Sequence, residues 1–470
     1  MRAGGLRAGG VRAGGSRAEI GTVALACVLA FEAAALALAL LVFDARQSPL
    51  AYAASMVGAS MPWLWLCWCG VRGRLPRLRH VLIAGCILRA LVQFAPGAVL
   101  SDDIYRYVWE GRVQLAGHNP FLESPASLSE LGASAPEWPR MNNRKITAAY
   151  PPVGQLFLRA LVWICPNPRT VRLAFALCDV LVMFLLAAWL SRVGRPSALC
   201  LVHALCPLSI VEFCVEGHND SLGIAILLGA LCLWSIGRIR LAGAALGAAV
   251  SCKFLPILVL PWLARRDRRV VLPCLGVFVL SYLPFWPGFD RVPQLLEGLR
   301  QYGTRWRSNE SLFWFLAEAT RIAQHWFADA GVTGWLVELH AQRVSKIPLA
   351  LVMVVFFAVI YRRVRNPAHA FVALLLVVFS FTPTLHPWYV GWIVPFLALV
   401  QAPAAFVLIA TVSFSYHVLG PYHRGEGWNE QLGWKLVEYV PFYGVLLWSW
   451  WRYGTPAAPR PQETEVSLPQ

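Results

Sequence analysis

The chain has 470 residues, of which 58% are hydrophobic and only 14% charged, and its mean hydropathy is +0.55. A soluble chain carries about 25% charged residues, so this balance excludes a soluble multi-domain enzyme and places the chain in a bilayer. Lys and Arg number 41 against 25 Asp and Glu, a net +16; in a membrane protein such an excess marks cytoplasmic loops, and no nucleic-acid partner is inferred from it.

The N-terminus repeats a Gly- and Arg-rich unit with arginines at Arg2, Arg7, Arg12 and Arg17. Gly and Arg at that density cannot bury a core, so residues 1–19 read as a disordered basic arm on the cytoplasmic side. No small-residue cleavage site follows the next apolar run, which argues against a signal peptide.

Roughly 20 apolar residues cross the hydrocarbon core. In the N-terminal part, 20–100, the qualifying windows are Ile20 to Phe43, Leu50 to Val71 and His80 to Leu100. A central part, 171–286, offers Val171 to Leu190, Ser197 to Val215, Ser221 to Ile236 and Val270 to Trp286. A C-terminal part, 347–452, offers Ile347 to Tyr361, Ala368 to Thr384, Pro387 to Val400, Ala402 to Leu419 and Leu436 to Trp450, before a tail over 453–470. The expected fold is an all-α polytopic membrane protein with about twelve transmembrane helices. Cys27, Cys86, Cys178, Cys200, Cys206, Cys232 and Cys274 lie inside apolar runs and read as small buried hydrophobes, without metal-ligand spacing.

Basic clusters set the orientation. Arg72, Arg74, Arg77 and Arg79, and later Arg362, Arg363 and Arg365, are expected in the cytoplasm of a cell inner membrane, together with both termini. Tyr150 to Cys165 begins with two prolines, carries Arg159 and reads as a helix lying in the outer interface. A single crossing by Leu241 to Leu263 would separate Arg238 and Arg240 from Arg265, Arg266, Arg268 and Arg269. A broken hairpin turning near Ser251, Cys252 and Lys253 keeps both clusters cytoplasmic. The outer face then receives a first loop, 101–170, the short 216–220 turn, a second loop, 287–346, and 421–435. The basic excess falls on the cytoplasmic segments, and the remainder is nearly neutral.

Candidate chemistry lies in those outer segments. Asp102 and Asp103 emerge beside Arg106 and Arg112, with Tyr105, Tyr107 and Trp109 between them. A carboxylate there can serve as a general base toward a hydroxyl or bind a cation, and a neighbouring Arg can hold a phosphate. The same residues also fit an N-cap and an interfacial helix with an Asp102–Arg106 pair. Glu216, His218, Asn219 and Asp220 crowd a short turn between apolar spans, which is costly unless they line a wet cavity; capping of the next helix by Asn219 or Asp220 is the alternative. Lys253 points into the membrane, where an ammonium needs an anionic partner such as a lipid phosphate, or else snorkels. His386 and Tyr389 sit between prolines, as part of a site or of an aromatic belt. Arg305, Arg307, Glu310, His423 and Glu426 are weaker candidates, and Glu32, Arg89 and Asp179 read as helix-packing polar groups.

Taken in order, the acidic pair with D-I-Y-R-Y-x-W-E-G-R and G-x-N-P-F, then Y-P-P, H-N-D-S-L, K-F-L-P and H-P-W-Y, resemble bacterial members of the glycosyltransferase C superfamily. More narrowly, they are similar to mannosyltransferase-like enzymes that use polyprenyl-phosphate sugars. The resemblance runs from about Asp102 to about Phe396 and implies that Asp102 or Asp103 is the catalytic base. His218, Asp220 and Lys253 would lie near the donor phosphate, with His386 close to the same cavity and Arg305 as a further cation. It implies transfer of a hexose, with mannose the expected sugar, to a hydroxyl of a glycan, lipid or protein acceptor, by inversion, because one base and no second carboxylate nucleophile is supplied. Metal dependence is left open, since both kinds occur in the superfamily, and Ile20 to Val71 are extra spans with no assigned role. A transporter or a lipid or polysaccharide flippase is the competing class; transporters show internal repeats and midplane sites, whereas no repeat is detected and the polar clusters sit at span ends.

Overall fold

The computed structural model describes residues 19–453 except 98, 335, 336 and 338. The basic arm over 1–18 and the tail beyond 453 lie outside the described residues. Thr22–Val42, Pro49–Val71, Pro168–Arg192, Arg268–Phe285 and Pro403–His423 are long and apolar enough to cross a bilayer. A sixth crossing results if the bent pair Ser197–Ala204 and Pro207–Val215 counts as one span. The chain is thus an all-helical, multi-pass membrane protein among its described residues.

Proline and turns divide several of the other windows expected among about twelve transmembrane helices. The window from His80 to Leu100 holds a helix only over Leu78–Leu91, followed by a short 3-10 turn. Pro387 to Val400 splits into Pro387–Val390 and Val394–Ala398. A proline supplies no backbone N–H and clashes with the preceding turn, so Pro387 and Pro395 each start a new short piece. Lys346–Arg363 and Leu432–Tyr453 are long helices but carry charged residues at or near their ends.

Two departures from regular helix position the rest. At the first, Pro207 bends its pair by 57° and frees the carbonyls of the preceding turn. Arg89 meets them, donating to Ala204 O at 2.6 Å and His203 O at 3.3 Å, while its guanidinium pairs with Asp179 at 2.7 Å. His203 Nε2 lies 2.7 Å from the other Asp179 oxygen. Every group here is buried, so the cluster satisfies backbone that has no water to turn to. Arg89→Leu should therefore cost about 3–5 kcal/mol by leaving the buried Asp179 without its guanidinium partner and the Ala204 carbonyl without its donor. A clearly lowered melting temperature in detergent checks this, and a wild-type melt would contradict it.

At the second departure, Ile239–Val250 ends at a turn over 251–254, and the chain comes back through Leu255–Val259 and Leu260–Arg266. The following helix then packs alongside: a Cβ at Gly243 would collide with the Val270 carbonyl, one at Gly247 with the Cys274 carbonyl, and Ser251 Oγ and Ser281 Oγ are 2.6 Å apart. Both basic clusters, around Arg238 and around Arg266, accordingly end up at the same end of this unit, and Lys253 is delivered at the turn.

The helix Asp103–Leu115 packs on Pro152–Ile164 through Gly111, where a Cβ would strike Val162 and the Leu158 carbonyl. Ile104, Tyr107, Val108, Leu158 and Phe175 close a small core around that contact. That core fixes the helix start, and with it the acidic pair.

Candidate functional site

Asp102 and Asp103 stand at the entrance of the helix Asp103–Leu115. Asp103 N–H donates to Ser101 Oγ at 3.2 Å, and the Asp102 side chain makes no capping bond although it occupies the cap position. Arg106 is not paired with Asp102 either; it binds Glu110 at 2.7 Å and donates to the Ile146 carbonyl at 2.7 Å. Both carboxyl groups line a cavity of about 1010 Å³, Asp103 with the Tyr150 hydroxyl 3.4 Å from its Oδ2.

The segment that leads into the acidic pair is held from behind. Glu216, buried in the short turn, accepts the backbone N–H groups of Val99, Leu100 and Ser101 at 3.3, 3.0 and 3.2 Å. Burial pushes its carboxyl up to about 7, against the pull of those three bonds and of Arg172.

Across the cavity stands Lys253. Its ammonium pairs with Asp220 at 2.6 Å, lies 3.5 Å from Asn219 Oδ1, and sits over the rings of Tyr150 and Tyr389 at 5.2 and 4.9 Å. Asp220 also accepts the Trp392 indole N–H. The anionic partner that this lysine requires is thus supplied by the chain, and neither Asn219 nor Asp220 caps the helix Asp220–Ser235 through its side chain. Tyr389 shares a hydroxyl–hydroxyl hydrogen bond with Tyr302. Arg305, which also lines the cavity, makes no ion pair among the described residues, whereas Arg307 is bound to Glu310 at 2.7 Å.

Electrostatics separate the two aspartates. Burial lifts Asp103 to about 6; Lys253 and the Tyr150 hydroxyl, 3.4 Å away, pull it down, and Asp102 and Asp220 push it up. Burial raises Asp102 as well, opposed by His423, Arg140 and Arg46. His386 is pushed down to about 4, chiefly by burial and then by the Lys253 charge, so it is neutral at physiological pH. Tyr150→Phe removes a bond to the ionised form of Asp103 and should shift the acid side of the rate profile to higher pH. A loss of up to about threefold at pH 6, with rates at pH 8 unchanged, is the expected result; a profile identical to wild type would contradict it.

The predicted residues divide into three groups. Asp102, Asp103, Arg106, Lys253, Arg305, His386 and Tyr389 line one cavity. His218, Asn219 and Asp220 are buried just behind it, with His218 stacked on Trp388 at 3.8 Å and Trp388 on His386 at 4.3 Å. Tyr105 and Arg112 lie elsewhere: the Tyr105 hydroxyl meets Arg140, and Arg112 is neutralised by Glu137 at 2.6 Å. Tyr150, Tyr302 and Tyr416 also line the cavity although their residue types alone do not announce it, and Glu216, already among the candidates, supports it from behind. Among the described residues no group of three or more His, Cys, Asp or Glu side chains is arranged to hold a metal ion.

The sequence model of the alpha-(1->6)-mannopyranosyltransferase N-terminal domain matches residues 14–266, and that of glycosyltransferase family 87 matches residues 148–387. Each covers more than half of the chain. The chain belongs to these glycosyltransferase families. Both matches include His218, Asp220 and Lys253, the first alone includes Asp102 and Asp103, and the second alone includes Arg305 and His386. No curated protein and no solved structure matches the chain. Residues from both matched stretches line the one cavity, Asp102 and Asp103 from the first and Arg305 and His386 from the second.

Proposed function

We propose that this glycosyltransferase moves a mannosyl residue from a polyprenyl-phosphate donor to an acceptor hydroxyl at the outer face of the inner membrane, with inversion and with both termini in the cytoplasm. The observation that carries the reading is a single cavity that combines a carboxylate poised near pH 6 with cations and an apolar wall. Phe254, Leu255, Ile257, Leu258, Val378 and Phe379 make that wall, which suits the isoprenoid chain of a lipid donor. The mannosyl unit follows the family matches, and the sidedness follows the basic clusters.

As the glycosidic bond breaks, negative charge grows on the departing lipid phosphate. Cations that meet it there act mainly in the transition state. Arg305, without an ion pair among the described residues, takes the phosphate most readily, and Lys253 adds its field while remaining bound to Asp220. Asp103 removes the acceptor proton as the hydroxyl attacks the anomeric carbon. His218 lies behind the wall rather than in it, so its part is not contact with the phosphate.

Purified protein in detergent, given labelled polyprenyl-phosphate mannose and separately a labelled nucleotide-linked mannose, tests the reading. Transfer from the lipid donor alone is expected. Transfer from the nucleotide donor alone would overturn it, and so would a product whose anomeric configuration matches that of the donor.

A further inference from the structure

The imidazole of His218 has carboxylates on two sides and hydrogen-bonds neither. Nδ1 is 3.9 Å from Asp103 Oδ2, and Nε2 is 3.5 Å from Glu212 Oε2. Both ring nitrogens and Glu212 Oε2 are buried without a hydrogen-bond partner, in a protein interior where such atoms are rare and costly. The ring cannot swing away, since Trp388 is stacked against its face. Glu212 uses its other oxygen to accept from the Tyr416 hydroxyl at 2.8 Å, and Tyr416 itself reaches the cavity wall. The four side chains form a row that starts at the cavity with Asp103, runs through protein, and returns to the cavity at Tyr416.

We propose that His218 and Glu212 are a proton relay that empties Asp103 after it has deprotonated the acceptor; the proposal rests on Asp103 as the base. The acceptor O–H bond breaks and its proton goes to Asp103 Oδ2, while the acceptor oxygen bonds the anomeric carbon and the lipid phosphate leaves with the electron pair of the broken C–O bond. The proton on Asp103 then passes to His218 Nδ1, and the proton on Nε2 passes to Glu212 Oε2. Asp103 is again a carboxylate, the imidazole is neutral in its other tautomer, and Glu212 is protonated. When water refills the cavity, the reverse transfers return the proton to Asp103 Oδ2 and Asp103 passes it to that water, which leaves Asp103 and Glu212 as carboxylates and His218 in its starting tautomer. The gain is directional, because a protonated Asp103 beside the new glycosidic oxygen is the acid that the back-reaction needs.

The surroundings favour transfer between tautomers over a lasting imidazolium. Burial holds His218 well below its ordinary value, and the charges of Lys253 and His386 add to the effect. The groups facing the row are Asp103 and Lys253 at the cavity end, His386 beyond Trp388, and Glu216 and Asp220 beside Glu212. The spacings of 3.5 and 3.9 Å exceed a formed hydrogen bond, and bonds of this kind commonly tighten only when substrate is bound.

Glu212→Gln keeps the volume and the Tyr416 contact but cannot take the proton; His218→Gln breaks the row at its centre. Each variant, full length in detergent with polyprenyl-phosphate mannose, is expected to lose about tenfold or more in kcat with the donor KM unchanged. In mixtures of light and heavy water the wild-type rate should curve with deuterium content, because more than one proton is in flight, and the rate of each variant should vary linearly. Melting temperatures identify a variant that is merely unfolded, in which case the wild-type inventory and the other variant still decide. A linear wild-type inventory, or a curved inventory retained in a folded variant, overturns the relay. If Asp103→Asn keeps full activity, the base assignment itself is wrong; if Asp103→Asn is inactive while both relay variants behave as wild type, only the relay fails.

Discussion

Asp103→Asn should lower kcat by about 10²- to 10⁴-fold, the usual contribution of a positioned general base, without weakening the fold. Asparagine keeps the shape of the side chain and cannot accept the acceptor's proton. The pH profile gives a second reading. A base acts only when ionised, and Asp103 is held at about 6 by burial, so the wild-type rate should be level above pH 7 and fall about tenfold per unit well below pH 6. The variant should lose that limb. Stability should move the other way. A carboxyl whose folded value lies above its unfolded value of 3.8 opposes folding once it is ionised. The penalty is absent below the unfolded value and fully present above pH 6. Removing the charge should thus relieve a cost on the order of 3 kcal/mol at neutral pH, leaving the variant as stable as wild type or more so. A site that spends stability to keep its base near neutrality behaves this way. Full activity in Asp103→Asn would move the role to Asp102; full activity in both Asn variants would remove the base from this pair.

Much of the molecule was legible because membrane proteins write their constraints locally. Five long apolar helices, among them Thr22–Val42 and Pro168–Arg192, fall within a few residues of the windows that hydropathy marks, and the turn near Ser251 followed from the placement of arginines alone. In the window Pro387 to Val400 the break has a cause that hydropathy ignores: Pro387 and Pro395 cost little in apolarity and much in backbone hydrogen bonding. Residues that declare their chemistry by type, such as Asp103, Lys253 and His386, converge on one cavity. Arg112 and Tyr105 have the same credentials, yet Glu137 and Arg140 occupy them. A charge's partner is a property of the fold, and residue type does not reveal it. Lys253 shows the converse, since the anion its burial demands is Asp220, already among the candidates but not paired with it.

Glu216 is the residue whose role could not be read in advance, and its replacement should have the next largest effect. The sequence shows a glutamate in a crowded turn; what it binds are three backbone N–H groups about a hundred positions earlier, and backbone donors carry no sequence signature. Those donors belong to the residues immediately before Asp102. Glu216→Ala leaves all three N–H groups without their acceptor, Leu100's buried and those of Val99 and Ser101 half-buried, and a buried unmet group costs about 1–3 kcal/mol. The least costly escape is for the 99–101 segment to move toward water, carrying the acidic pair with it. Because a displacement of about 1 Å at a reacting group can cost on the order of 10²-fold, kcat should fall by that order. Donor KM should change little, because Lys253 and Arg305 are held by other elements. Glu216→Gln is the informative companion. Its amide oxygen can still accept from part of the cradle, while its NH₂ faces donors instead of a carboxylate facing them, so its activity should fall between Glu216→Ala and wild type. Steady-state kinetics of the two variants, each with a melting curve, check this order. If Glu216→Ala is folded and retains wild-type kcat, the cradle does not position the acidic pair, and the packing of Gly111 against Val162 must hold Asp103 in place unaided.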